Sequence, residues 1–379
     1  MNDDKLKHPG AKSRSNRIVS LDMMRGLTIA AMILVSNPGS WSYVYHPLTH
    51  TPWHHITPTD LIFPFFIFIV GVSIVLALKK RLQGGTARRG IYRKIFTRSL
   101  ILMGLGIFLN LFPAFNFSGY GWAGVGYTGV LSRISIVYLV CALLFLNTTW
   151  KTQAIIGGTI LLLYWVCMCF VPIPGIGTGI IEPGNNMAAW IDTFVLSIEP
   201  GQWVPEGFFS TFPAIVTGIT GMLTGQLLLS GKEQSQQINW MMTAGFIAVV
   251  LGTVWGWQFP VNKNIWSSSF VLVSSGMALL TLAVLIFFID AQGFKRGSHF
   301  GIVFGANAIA IYLLSHLIQP LITNMPLVDG QTINGWFMTT FTGMGVAPKL
   351  VSMVFAILYV LLCFIPASVM YKKKLFIKV

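Results

Sequence analysis

The sequence predicts an all-α, polytopic membrane protein of about ten transmembrane helices with both termini cytoplasmic. Three observations predict it. Charged residues make up only 9% of the 379 residues and hydrophobic ones 54%. A soluble domain carries about 25% charged residues, so lipid must replace water around most of this chain. Apolar stretches long enough to cross a hydrocarbon core of about 30 Å recur from residue 18 to residue 371. Nearly all the cations, finally, fall in alternate loops.

Taken in order, residues 1–17 form a polar, basic tail without the pattern of a cleavable leader, so none is expected. The expected spans are 18–37, 60–79, 92–112, 128–147, 153–171, 209–230, 240–258, 266–288, 300–319 and 350–371. The first carries Asp22 and Arg25, three apart on one face; they either neutralise each other or leave Arg25 to meet an anionic ligand. The densest basic stretch, Lys79, Lys80, Arg81, Arg88, Arg89, Arg93, Lys94 and Arg98, suits anionic lipid headgroups. Arg133 lies inside a span, where a guanidinium needs a partner or a wet cavity. Gly218, Gly221 and Gly225 allow another helix to approach 209–230 closely. Cys141, Cys167, Cys169 and Cys363 all fall in apolar runs and read as packing residues. The chain thus divides into a tail at 1–17, a membrane domain at 18–371 and a basic tail at 372–379.

An even number of spans puts both termini on one side. Nearly all of the 25 Lys and Arg fall there, and only Lys263 and Lys349 lie opposite. The positive-inside rule makes that side cytoplasmic. The net charge of +14 is therefore a topology signal, and no nucleic-acid partner is implied. The other side has the long loops, 38–59, 113–127, 172–208 and 320–349, rich in Gly, Pro, Trp and Asn. Such loops over a rigid bundle are where a site is built.

One of them, "HPLTHTPWHH", puts four of the seven histidines within residues 46–55. A metal site, a proton path and a histidine doing acyl or proton chemistry are the three readings. Pro47 and Pro52 interrupt any helix that would align His46, His50, His54 and His55, and no cysteine accompanies them, so no metal is expected. In "TPTD", Thr57 reads as a helix cap, with Pro58 first and Asp60 third. Asp60 could serve that cap alone or also fix a nearby imidazole's tautomer. "GYGWAG" at 119–124 matches G-x-G-x-x-G but has no strand before it, and reads as a loop. Asn37, Asn262, Asn307 and His316 stand at or near span ends on the outer side, to pair across helices or line a pocket.

Several blocks resemble a known family. "LDMMRGLTIAAMILVSNPG", "TPTDLIFPFFIFIVGVSI", "GVLSRISIVYLV", "NNMAAWID", "PEGFFSTFPAIVTGITGMLTGQ", "PVNKNIWSSSFVLVSSG" and "GANAIAIYLLSH" are similar, in order from about residue 18 to 371, to the catalytic membrane domain of the heparan-alpha-glucosaminide N-acetyltransferase family, bacterial-type members included. The resemblance implies an acyltransferase that takes acetyl-CoA as co-substrate from the cytoplasm and acetylates a glucosamine-type amine on the far side. Anchored on Trp53 and on Thr57 to Asp60, it puts the catalytic histidine at His50; anchored on Asn37 alone, it leaves His46 as a rival. Val204 stands where the pattern has an acid before Pro205-Glu206-Gly207.

The catalytic set expected is His50, Asn37 and Asp60. His50 acts as general base or itself carries the acetyl group, and Asn37 donates to the thioester oxygen. Arg25, Arg133, Asn262, Lys263 and Trp266 are expected on the cofactor, and Trp53, His54, Glu206 and His316 on the acceptor. The expected partners are an amino-sugar or glycan acceptor, membrane lipids and a second copy in a homodimer. The expected location is a bacterial inner membrane with the site facing the periplasm. The competing reading is a secondary transporter of a small polar solute with the histidines as a proton relay.

Overall fold

The computed structural model describes residues 18–115, 128–196, 198–328 and 330–377; the stretch at 119–124 lies outside them. In chain order the helices are α1 (Val19–Ser36), α2 (Ile62–Gln83), α3 (Arg88–Leu111), α4 (Val130–Asn147), α5 (Trp150–Phe170), α6 (Met187–Leu196), α7 (Thr211–Leu228), α8 (Gln234–Trp255), α9 (Ser268–Leu285), α10 (Ser298–Ala306), α11 (Ala308–Thr323), α12 (Ile333–Gly343) and α13 (Pro348–Lys372). A two-stranded hairpin, β1 (Pro326–Val328) and β2 (Gln331–Thr332), is the one sheet among the described residues. Nine helices there are long and apolar enough to cross a membrane, and α10 with α11 makes a tenth if that bent pair is one span.

The axis of the bundle is α2 against α7, joined where side chains are smallest. Gly71 lies on the Gly218 carbonyl and Gly221 on the Phe68 carbonyl, so a methyl at either would collide with backbone. This is the close approach that the glycines of 209–230 predict. Helices α3, α5 and α8 wrap the outside, and α8 exposes Phe246, Ile247, Val250, Leu251 and Val254. A face so apolar is one that acyl chains would cover.

The ninth expected span differs. Residues 300–319 do not form one rod: α10 and α11 meet at Asn307 with a bend of 81°. The Asn307 side chain has turned from the helix to the tail, donating from Nδ2 to the Leu375 carbonyl and accepting the Ile377 N–H, each at 3.0 Å. Gly305 beside it lies against the backbone of Asp22. Asn307 therefore belongs at the end of the bundle where α1 starts, and not with the long loops, correcting the sequence-based placement. Its amide thus ties the bend to the tail.

At that same end Lys79 donates to the Leu229 carbonyl, Tyr92 to Asn147, and Ser20 to Asp290. At the other end Asn334 donates to the Gly39 carbonyl, Trp53 to that of Ile181, and Arg133 to that of Gly207. The long loops thus interlock over one mouth of the bundle. Trp53, Tyr164, Met168, Ile173, Met187, Phe259 and Ile265 give them a small apolar core of their own.

Candidate active site

The site starts from the turn Pro58–Leu61 that opens into α2. The expected cap is present: Asp60 Oδ2 accepts the Thr57 N–H at 3.0 Å. The same oxygen also takes the Thr51 N–H at 3.2 Å and its hydroxyl at 3.1 Å. One carboxylate oxygen thus ties the histidine loop to the start of α2. The other oxygen, Oδ1, faces His50 Nδ1 at 2.6 Å. The two readings of Asp60 are compatible in geometry: the same side chain closes the cap and meets the His50 ring.

Exposure divides this pair unequally. The Asp60 side chain is 1% exposed and that of His50 55%. An ionised carboxylate only accepts, so Nδ1 is the donor in the short contact, and in a neutral ring the lone pair would then fall on Nε2. His46 lies in the exposed turn His46–Leu48, and no hydrogen bond from its ring is found among the described residues.

Lys263 completes the group from the loop between α8 and α9. Its Nζ is 3.1 Å from His50 Nδ1 and 3.7 Å from Asp60 Oδ1. Nδ1 cannot both donate to Asp60 and accept from an ammonium. The shorter contact, to the buried acid, decides the tautomer, and Lys263 then pairs electrostatically with Asp60. Burial pulls the Lys263 ammonium below the usual lysine range, and the charges of Glu206 and Asp60 oppose that pull. Asn262 builds this loop: its Oδ1 accepts the N–H groups of Asn264 and Ile265, its own N–H goes to Ser267, and its Nδ2 lies 3.5 Å from His54 Nδ1. An isolated β-bridge between His55 and Asn262 also joins the two loops, with His55 left-handed at φ 71°.

Arg133 lies beneath, buried in α4. It donates to the Gly207 carbonyl and the Ser210 hydroxyl and covers the ring of Trp266 at 5.0 Å. Trp266 is itself buried, with its indole N–H on Thr217 and Phe63 and Phe270 against its ring. Asp192 of α6 accepts the Phe209 N–H at 3.0 Å from the other flank. Burial pushes its carboxyl up to about 6, against that N–H, the charge of Arg133 and the Phe208 N–H. Between these anchors Glu206 is held left-handed at φ 57°, within electrostatic reach of Lys263 and Tyr312. His316 lies tilted against the Tyr312 ring at 4.2 Å and shares a 3.0 Å hydrogen bond with its carbonyl, so this wall reaches α11.

Asn37 ends α1 buried; its Nδ2 donates to the Ile33 carbonyl at 2.7 Å, and Oδ1 has no partner among the described residues. Trp53 is buried as well, its indole N–H on the Ile181 carbonyl and its ring edge-on to Trp203. Arg25 stands apart. It bridges Asp22 at 3.1 Å, Ser73 at 2.8 Å and the Gly305 carbonyl, roughly 18 Å along α1 from Asn37. Of the residues expected on a cofactor, the structure brings Asn262 and Lys263 to the histidine loop, sets Arg133 and Trp266 beneath them and leaves Arg25 at the far end.

Lys263 was expected on the cofactor and not beside the histidine, and no role was expected of Asp192. Lys263 as a neighbour of the histidine is visible only once two distant loops meet. For Asp192 the apolar helix "MAAWID" was the available signal that it would be buried. Among the described residues no three His, Cys, Asp or Glu side chains converge as metal ligands would.

The family model described as heparan-alpha-glucosaminide N-acetyltransferase, catalytic, matches residues 17–256. That range includes His50, Asp60, Arg133, Asp192 and Glu206 and stops short of Lys263. The heparan-alpha-glucosaminide N-acetyltransferase of Mus musculus is 29% identical over 423 residues, covering 97% of this chain and 61% of that protein. The one of Homo sapiens is 30% identical over 353 residues, covering 78% of this chain and 52% of that protein. The chain thus spans between half and two thirds of the length of these relatives.

Proposed function

The chain belongs to the heparan-alpha-glucosaminide N-acetyltransferase family, and from that premise we propose that it is an acyltransferase moving the acetyl group of cytoplasmic acetyl-CoA to the amine of a glucosamine-type sugar at the opposite membrane face. The observation that carries this reading is the buried Asp60 carboxylate 2.6 Å from Nδ1 of an exposed histidine. A carboxylate so placed fixes the tautomer, steadies the imidazolium that forms, and leaves Nε2 for the reacting atoms.

The acceptor nitrogen attacks the thioester carbonyl carbon and its proton passes to His50 Nε2. The carbon–sulfur bond breaks, and the sulfur leaves as the thiolate of CoA. If His50 carries the acetyl group instead, Nε2 attacks first and the amine takes the acetyl from the imidazole. An acetylated His50 trapped without acceptor marks that route, and its absence marks direct transfer. The second N–H of Asn37 suits the oxygen on which negative charge develops. Glu206, on the rim opposite Lys263, suits the ammonium of an amino sugar.

The basic end of the bundle is then the cytoplasmic one, where the phosphates of CoA stay in water, and the histidine loop faces the periplasm. The bend at Asn307 is the one feature that would suit a transporter with a broken helix. Its amide, however, is engaged by the tail through both its nitrogen and its oxygen. The test is mass spectrometry of glucosamine incubated with purified protein and acetyl-CoA. N-acetylglucosamine and free CoA in equal amounts are expected. No acetylated product, together with solute flux in proteoliposomes, would overturn the reading in favour of transport.

A further inference from the structure

A cavity of about 610 Å³ opens at the other end of the bundle, between α10, the end of α13 and the folded-back tail. Ligand pockets commonly enclose about 300–1,000 Å³. Its walls include His299, Phe364, Tyr371, Lys372, Lys374 and Phe376. We propose that it binds a phosphate-bearing ligand whose remainder is flat or apolar.

The cavity is a constructed feature. After α13 the chain turns back: the Lys373 N–H bonds the Val369 carbonyl, Lys374 that of Tyr371, and Leu375 that of Met370. Lys374 sits left-handed at φ 55°, a conformation a side-chain-bearing residue keeps only when its surroundings hold it. Asn307, 1% exposed, supplies the hold through its two bonds to Leu375 and Ile377. That clamp fixes Lys374 and Phe376 on the rim, where a free tail would swing away.

The chemistry of the walls selects the ligand. Lys372 and Lys374 place two ammonium groups at one mouth, and among the described residues no acid is paired with either. Phosphate oxygens are the acceptors that two such point charges suit. Along the same walls Tyr371 meets His299 edge-on at 5.8 Å and Phe376 at 6.3 Å, and Phe364 stacks on Phe300 at 5.0 Å. Aromatic surface beside two cations fits a nucleotide base or the upper part of an acyl chain. Two sources share this chemistry: the nucleotide end of CoA and the headgroup of an anionic phospholipid. The first rests on the acetyl-donor reading above; the second does not.

The test is binding, read apart from acetyl transfer. Adenosine 3′,5′-bisphosphate, which has no acyl group to transfer, is titrated calorimetrically into detergent-purified protein. Separately, protein released from nanodiscs of phosphatidylcholine and phosphatidylglycerol is weighed by native mass spectrometry for retained lipid. Wild type is expected to bind one of the two, about tenfold or more tighter than Lys372→Ala/Lys374→Ala. Lys374→Arg should retain the affinity and Asn307→Ala, which frees the tail, should lose it, with both variants monodisperse. Retention of the nucleotide identifies the donor source, and retention of phosphatidylglycerol the lipid source. If neither binds, or if the double variant binds as wild type does, the proposal is wrong. Failure of acetyl transfer with lipid binding intact would leave the cavity assignment standing.

Discussion

Two acid–base pairs stand at opposite ends of this bundle, and they are built for different ends. Asp22 and Arg25 lie on one helix, and the guanidinium reaches Ser73 of α2 and the Gly305 carbonyl of α10 as well as its acid. Its hydrogens go to the protein, and three helices are tied together. Asp60 and His50 lie on one loop. There the acid is buried and engaged on both oxygens, while the imidazole keeps one nitrogen toward open space. An ionisable group near a membrane is therefore not functional because it is charged. What matters is whether its surroundings use up its valences or leave one aimed outward.

The contrast can be broken by substitution. His50→Ala should reduce acetyl transfer by about 10³-fold, within the range for loss of a general base, with little change in thermal midpoint. His46→Ala should leave it within a few-fold; the reverse outcome would move the working histidine to the neighbouring turn. Asp60→Asn comes next, at about 10²-fold in rate. Unlike His50→Ala it should also lower the thermal midpoint, because a cap substitution costs about 1 kcal/mol. Arg25→Ala should do the opposite, destabilising by about 1–3 kcal/mol while changing turnover per folded molecule less than about tenfold. Equal losses of turnover in Asp60→Asn and Arg25→Ala would erase the distinction.

The smallest effect expected is on pH. The Asp192 carboxyl is raised by burial to about 6, above its unfolded value, so the folded state holds the extra proton in between. Stability should be full below about pH 4 and fall as pH rises through about 6. Thermal midpoints between those values should show that slope for wild type and a flatter one for Asp192→Asn. A wild-type slope of opposite sign would contradict the burial described for Asp192.

Helix positions were legible because hydrophobic length alone sets them, and the close pairing of α2 and α7 was legible in the glycines. The break at Asn307 was not, since the pattern "GANAIAIYLLSH" stays apolar through it and the partner of its side chain is a tail residue some seventy positions on. Helices α6 and α12 were hidden in the long outer loops because they are too short to give a membrane-length signal. At the site, "TPTD" showed the cap, and the nearby histidines made a tautomer role for Asp60 readable. Lys263 could not be read in the same way. Its place depends on Asn262 folding its own loop and on a bridge to His55, neither of which leaves a local pattern.

The central claim, that Asp60 fixes the proton of His50 on Nδ1 and leaves Nε2 open, is tested most directly by nitrogen-15 NMR of histidine-labelled protein near pH 8, with the His50 signals assigned by their loss in His50→Gln. A protonated Nδ1 and an unprotonated Nε2 are expected, with that preference collapsing in Asp60→Asn. A proton found on Nε2, or a tautomer mixture that Asp60→Asn leaves unchanged, would contradict the account.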